Sequence, residues 1–233
     1  MTGSGVTRIL DLPSPNHGPR ADGARVELLI LHYTGMPTVR HALDRLCDPA
    51  AQVSAHYTVD EDGTVYAHVP EERRAWHAGV SSWRGQADVN SRSIGVEIVN
   101  PGHEFGYRPF PAAQMDAVEG LCRAIVARHG IRPADVLGHS DVAPARKEDP
   151  GELFDWPRLA RAGIGLWPEP TAADDGPFDD AEVRSLLARY GYDAEAPRAL
   201  LSFQRHFHPE ALTGAADAET VRRLRALVRV TGR

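Results

Sequence analysis

The run Val26 to Leu31 (VELLIL) is apolar but for Glu27 and of strand length, the pattern of a buried central strand, and it ends at His32-Tyr33-Thr34-Gly35. The period then changes. From Thr38 to Cys47, Val39, Ala42, Leu43 and Leu46 recur at helical spacing, and Asp48-Pro49 closes the segment. Val53 to Val59 and Thr64 to Val69 flank Asp60-Glu61-Asp62-Gly63, where glycine offers positive φ, so they read as a hairpin. Ile94 to Val99 alternates, with Ile94, Val96 and Ile98 on one face and Gly95, Glu97 and Val99 on the other, so Glu97 leaves the apolar face. Pro111 to His129 sets Met115, Val118, Leu121, Cys122, Ile125 and Val126 on one stripe and stops at Gly130, a helix with a glycine cap. Asp135 to Gly138 is a short strand that delivers His139.

Trp167 to Gly176 (WPEPTAADDG) has little to bury and reads as a linker. Beyond it, Asp179 to Tyr190, Ala196 to Phe207 and Ala218 to Val230 carry helical periodicity. The expected architecture is α/β, a mixed central β-sheet flanked by helices over residues 1–166. A linker at 167–176 and a small all-α three-helix domain at 177–233 follow.

Composition narrows the partners. With 42% hydrophobic and 25% charged residues the chain has an ordinary soluble mix, which excludes disorder as its main state. A net charge of −6 offers no broad cationic field for nucleic acid or anionic lipid. No stretch approaches the ~18 apolar residues of a membrane span. The opening MTGSGVTRILDLPSPNHG lacks a cationic start followed by an apolar run, so the expected location is cytoplasmic, or periplasmic should a leader have been removed. Cys47 and Cys122 lie on apolar helix faces and read as two buried thiols rather than a bridge.

Among 26 basic residues Lys147 is the single lysine. Where arginine serves every general need for positive charge, a lone lysine marks a place for a compact ammonium that a planar fork cannot fill. Of 11 histidines, His32 and His139 each follow an apolar strand and can share one crevice at the strand ends. His41, His129, His206 and His208, in or at the ends of helices, and His17 and His103, in loops, read as satisfied polar residues. Beyond His139, the charged loop Arg146-Lys147-Glu148-Asp149-Pro150-Gly151 supplies a carboxylate. Two histidines and one carboxylate make the ligand set of a catalytic Zn²⁺ with a fourth position open. Spacing alone leaves other readings open, since no short H-E-x-x-H motif holds the ligands together.

The stretches Leu31-His32-Tyr33-Thr34, Ser54-Ala55-His56-Tyr57, Ala75-Trp76-His77-Ala78-Gly79, Ser93-Ile94-Gly95-Val96-Glu97, Gly138-His139-Ser140-Asp141 and Arg146 to Gly151 occur in the order of a known family. Over about residues 26–160 the chain resembles the zinc-dependent N-acetylmuramoyl-L-alanine amidases of the type 2 family, whose fold is shared by peptidoglycan recognition proteins. The resemblance implies His32, His139 and Asp149 as zinc ligands, Glu97 as catalytic acid/base and Lys147 as the cation beside the reacting carbonyl. It further implies cleavage of the bond between the lactyl group of muramic acid, ordinary or 1,6-anhydro, and L-alanine of the stem peptide. Peptidoglycan or a muropeptide is then the partner. Tyr33, His56, Trp76 and His77 are expected to wall the substrate cleft, with core packing the competing role for Trp76. Arg92 is expected to pair with a stem-peptide carboxylate, and Asn100, which with Asn90 flanks the Glu97 strand, is expected to line the substrate cleft. The last three helices resemble a peptidoglycan-binding three-helix domain, departing from it at Phe207-His208-Pro209-Glu210 and at Gly214-Ala215-Ala216-Asp217. Two rival readings are a recognition module without turnover, which the intact ligand set disfavours, and a zinc peptidase of other specificity.

Overall fold

The computed structural model describes residues 8–232. Strands β1 (Ile9–Asp11) and β2 (His17–Pro19) precede β3 (Leu28–Tyr33), the apolar run, and its residues from Leu28 to His32 are buried. Helix α1 (Val39–Cys47) starts where the Thr38 side chain accepts the His41 N–H, and it buries Ala42, Leu43 and Leu46. The expected hairpin is β4 (Tyr57–Val59) and β5 (Val65–Ala67), antiparallel and shorter than the pattern suggested, with Gly63 at φ 88° in the turn. After β6 (Arg73–Ala75) come α2 (Val89–Arg92), β7 (Ser93–Ile98) and α3 (Gly102–Phe105). The long helix α4 (Ala112–His129) ends at Gly130 with φ 65°, the left-handed conformation that glycine adopts without a Cβ penalty. β8 (Val136–Gly138) runs directly into α5 (His139–Val142), and α6 (Trp156–Arg161) follows. The C-terminal part holds α7 (Asp180–Tyr190), α8 (Ala199–Phe207) and α9 (Ala218–Thr231).

Six strands form one mixed sheet in the order β1-β5-β4-β7-β3-β8, parallel throughout except for the β4–β5 hairpin. Each face of its centre has its own apolar cluster. Leu29, Leu31, Ile94, Val96 and Ile98 meet Met115, Val118 and Ile125 of α4, with Trp156 and Leu159 of α6. Leu28, Ile30 and Leu137 share the other cluster with Trp83, Leu186, Tyr190, Phe203, Phe207 and Leu224. The three C-terminal helices therefore bury part of their apolar surface against the sheet side as well as against one another. Trp83 is fully buried edge-on to Tyr190 and Tyr192, and a Cβ at Gly191 would stand 2.7 Å from its ring.

Three details differ from the sequence pattern. The expected linker is pinned rather than loose. Asp174 is buried and accepts hydrogen bonds from Thr171 and Arg229, while Arg225 donates to the carbonyls of Asp174, Gly176 and Pro177. Helix α8 begins after Arg198, which takes φ 66°, and not at Ala196. Of the two thiols, both free, Cys122 is buried but Cys47 is half-buried, because it sits on the last turn of α1. Among the described residues no helix is long and apolar enough to cross a membrane. Residues 1–7, on which part of the leader reading falls, lie outside the described residues.

Candidate active site and metal centre

Parity decides which face carries the chemistry. On β3, Leu28 and Ile30 point toward the C-terminal helices, and so His32 does too. Its register partner on the parallel strand β7 is Glu97, just as Ile30 faces Gly95 and Leu28 faces Ser93. His139 arrives where β8 turns into α5, and Asp149 comes from the loop after α5. His32 Nδ1 stands 2.9 Å from His139 Nδ1, and each of these nitrogens stands 3.0 Å from Asp149 Oδ2. All three residues are buried.

Hydrogen-bond bookkeeping shows what this triangle lacks. Ser93 Oγ–H donates to the Val89 carbonyl at 2.7 Å, so toward His77 Nε2, 3.0 Å away, Ser93 can only accept. Burial and the neighbouring His32 and His56 hold the His77 imidazolium pKa well below the ordinary value, so the ring is neutral and its Nδ1 carries a lone pair. That lone pair must take the Nε2–H of His32 at 3.0 Å, which leaves His32 Nδ1 bare. His139 Nε2 faces the Ala78 carbonyl at 3.1 Å and the Arg146 guanidinium at 3.4 Å, so its Nδ1 is the nitrogen turned to His32 and Asp149. Burial, then the adjacent His139, lowers the His32 pKa to about 4. Burial pushes the Asp149 carboxyl up, but His139 and His32 outweigh it and hold it well below the usual carboxylate range. Two ring nitrogens and a carboxylate oxygen thus converge within 3.0 Å of one another. Two imidazole nitrogens and a carboxylate oxygen are metal-ligand atoms, and His32, His139 and Asp149 can hold a metal ion.

Glu97 flanks the triangle. It is half-buried, and its Oε2 has neither solvent nor a hydrogen-bond partner. Burial and then the charge of Asp149 push its carboxyl well above the usual value, with Lys147 pulling the other way. Lys147 is half-buried on the loop that carries Asp149, and its charge is felt by both Glu97 and His32.

Residues 22–152 match the family described as N-acetylmuramoyl-L-alanine amidase, Amidase_2. The chain belongs to this amidase family. It is 40% identical to the N-acetylmuramoyl-L-alanine amidase AmiD of Escherichia coli over 84% of this chain and 80% of that protein. The 1,6-anhydro-N-acetylmuramyl-L-alanine amidase AmpD of Salmonella typhimurium is 33% identical over 66% of this chain and 89% of its own length. The solved complex of AmiD with anhydro-N-acetylmuramic acid-L-Ala-D-γ-Glu-L-Lys superposes with a TM-score of 0.80 at 38% identity, covering 91% of this chain and 93% of that one. AMPDH3 of Pseudomonas aeruginosa with an anhydromuramic pentapeptide gives 0.81 at 33% identity, covering 90% and 93%.

Within this amidase, several residues expected at the cleft wall do other work. His56 is fully buried; its Nδ1 accepts the Gly95 N–H and its Nε2 faces the Arg73 carbonyl. His77 is buried with both ring nitrogens engaged in the His32–Ser93 relay. Asn100 is buried, donating to the Arg108 carbonyl and accepting the Gly102 N–H, which shapes the loop after β7. Arg92 pairs with Glu27 and precedes β7, about 16 Å along the strand from Glu97 at ~3.3 Å per residue. Tyr33 and Trp76 keep partial exposure. Tyr33 Oη meets His103 Nδ1 at 3.0 Å, and its ring lies beside Tyr107.

Three supports show their role only in the structure. Asn90 Oδ1 accepts the N–H groups of His77 and Ala78, Arg146 donates to the carbonyls of Ala78 and Val80, and Ser93 closes the relay. Ser93 was findable, because in the alternation of β7 it falls on the same face as Glu97. Gly95 lies between them, and a Cβ there would stand 2.4 Å from the His77 ring.

Proposed function

We propose that this chain is a zinc-dependent hydrolase of the amide bond between N-acetylmuramic acid, ordinary or 1,6-anhydro, and L-alanine of peptidoglycan stem peptides. Its work is muropeptide recycling or wall turnover. One observation carries the reading: three buried ligand atoms within 3.0 Å of one another, beside an unpartnered carboxylate oxygen, in a member of this family. Two imidazole nitrogens and one carboxylate suit zinc and leave a position open. Zinc, when bound, polarises the scissile carbonyl and lowers the pKa of the attacking water toward ~7. Glu97 takes the proton of that water on Oε2 and hands it to the leaving nitrogen, a task that its raised proton affinity suits. Lys147, two residues before Asp149, supplies positive charge where the oxyanion develops. Tyr33 and Trp76 remain as the rim residues for the sugar and peptide. The anhydro-muropeptides held by the related AmiD and AMPDH3 structures support the substrate class. Residues 1–166 carry the chemistry and 177–233 serve it from one side.

The test is metal analysis together with cleavage of anhydro-N-acetylmuramic acid-L-Ala-D-γ-Glu-L-Lys by wild type and His139→Ala. Stoichiometric zinc and release of the intact tripeptide, both lost in the variant, are expected. Zinc without turnover makes the chain a recognition module, and cleavage within the peptide makes it a peptidase.

A further inference from the structure

The carboxylate of Asp141 is fully buried in α5, two residues after His139. Its Oδ2 accepts the Gly138 N–H at 2.7 Å, which folds the turn that delivers His139, and the same oxygen accepts His206 Nδ1–H at 2.7 Å. Its Oδ1 accepts the Tyr192 hydroxyl at 2.6 Å. Two of these three donors come from the C-terminal helices. Tyr192 stands just past α7, edge-on to Trp83, and His206 lies on α8, stacked between Trp156 at 3.7 Å and Phe207 at 3.8 Å. Neither side chain can retreat without opening the apolar cluster.

A second, separate set of contacts reaches the same segment. Arg198, at the start of α8, donates to the Ala145 carbonyl and lies 3.7 Å from Glu148. Arg205, on α8, holds Glu148 at 3.2 Å and Glu152 at 3.6 Å. Glu148 sits between Lys147 and Asp149. The stretch 138–152 therefore carries two of the three ligands and Lys147, and α7–α8 grip it at Asp141, Ala145, Glu148 and Glu152. His32, on the sheet, needs no such grip.

We infer that the C-terminal helices are a positioning element of the metal site: Tyr192 and His206, acting through Asp141, set the turn that aims His139. This goes beyond a wall-binding role for those helices, and it rests on the zinc reading above. A buried carboxylate with three donors has one low-energy placement, and losing a donor frees it to pull the Gly138–His139 turn toward water.

The experiment is zinc affinity by competition with a chromophoric chelator, together with thermal melting. It compares full-length wild type, Tyr192→Phe, His206→Leu, His206→Asn and Thr220→Val. Tyr192→Phe removes one oxygen and leaves no cavity beyond it. Thr220→Val breaks buried hydrogen bonds to Gln204 and His208 within the C-terminal helices and touches no part of Asp141, so it reports destabilisation alone. Tyr192→Phe and His206→Leu are expected to weaken zinc binding about 10–100-fold. His206→Asn, which keeps a donor near the Nδ1 position, recovers part of the loss, and Thr220→Val lowers the melting temperature with zinc affinity within about twofold of wild type. Unchanged affinity in Tyr192→Phe and His206→Leu, or an equal loss in Thr220→Val, overturns the inference while the zinc reading stands. A wild type that binds no zinc overturns both.

Discussion

Ser93→Ala tests the proton bookkeeping at its far end. Ser93 touches no ligand atom, yet its hydroxyl is the acceptor that fixes the proton on His77 Nε2. Without it two states remain. In the first, His77 keeps its proton on Nε2 with no acceptor in a buried place, at a cost of about 1–3 kcal/mol. In the second, the proton moves to His77 Nδ1, His32 Nε2 must become the acceptor, and the His32 Nδ1–H points into the metal position. Only the first state presents a lone pair to the metal, so apparent zinc affinity falls by the cost of holding it, roughly 5- to 150-fold at ~1.4 kcal/mol per decade. The assay is zinc competition with a chelator, paired with ¹⁵N spectra of the His32 imidazole in metal-free protein. The expected spectra show the proton on Nε2 in wild type and a mixed or reversed tautomer in the variant. Zinc affinity within twofold of wild type, with the His32 tautomer unchanged, would refute the relay.

Three further outcomes are expected. Glu97→Gln keeps shape and zinc but cannot carry the proton, and cleavage of the anhydro-muropeptide should fall on the order of 10²–10⁴-fold; retained turnover removes Glu97 from the chemistry. Lys147→Arg keeps the charge but replaces a compact ammonium with a planar fork, so kcat should drop, and equal kcat would mean that the single lysine has no special role. Far from the site, burial pushes the Glu71 carboxyl up, but hydrogen bonds from Arg128, His129 and Tyr57 outweigh it and bring the pKa down to about 2. A depressed carboxyl stabilises the fold above its unfolded pKa of ~4.3 and loses that contribution as pH falls through about 2. Urea unfolding should find Glu71→Gln about 2 kcal/mol less stable at pH 7, discounted for the half-exposed Arg128, with the gap closing toward pH 2. A gap independent of pH would contradict the ionic origin.

Local pattern was enough for most of the elements and for placing the candidate residues on them. The apolar run of β3, the period of α4 with its Gly130 cap and the alternation of β7 each depend on residues within one element, where side-chain direction follows from backbone period alone. The same logic put His32 and His139 at strand ends and Glu97 off the apolar face, and the single lysine marked Lys147. What the residues near His56, His77 and Asn100 could not show was their partners. His56 meets Gly95, and His77 meets His32 and Ser93, across strand pairings that the chain's own neighbours do not encode. These side chains were read as walls because a polar residue in a site motif looks the same whether it faces substrate or backbone.

The sequence by itself determined which groups are candidates, namely two imidazoles, two carboxylates and one ammonium at strand ends, on a strand and in a loop. Only the tertiary structure decided their protonation and placement. Register set Glu97 beside His32, a relay through His77 and Ser93 turned the His32 Nδ1 bare, and the C-terminal helices closed on Asp141. The physical reason is range. Side-chain direction is a property of one element's period, whereas burial, tautomer and pKa are set by atoms from different elements, brought together from 10 to 117 positions away along the chain.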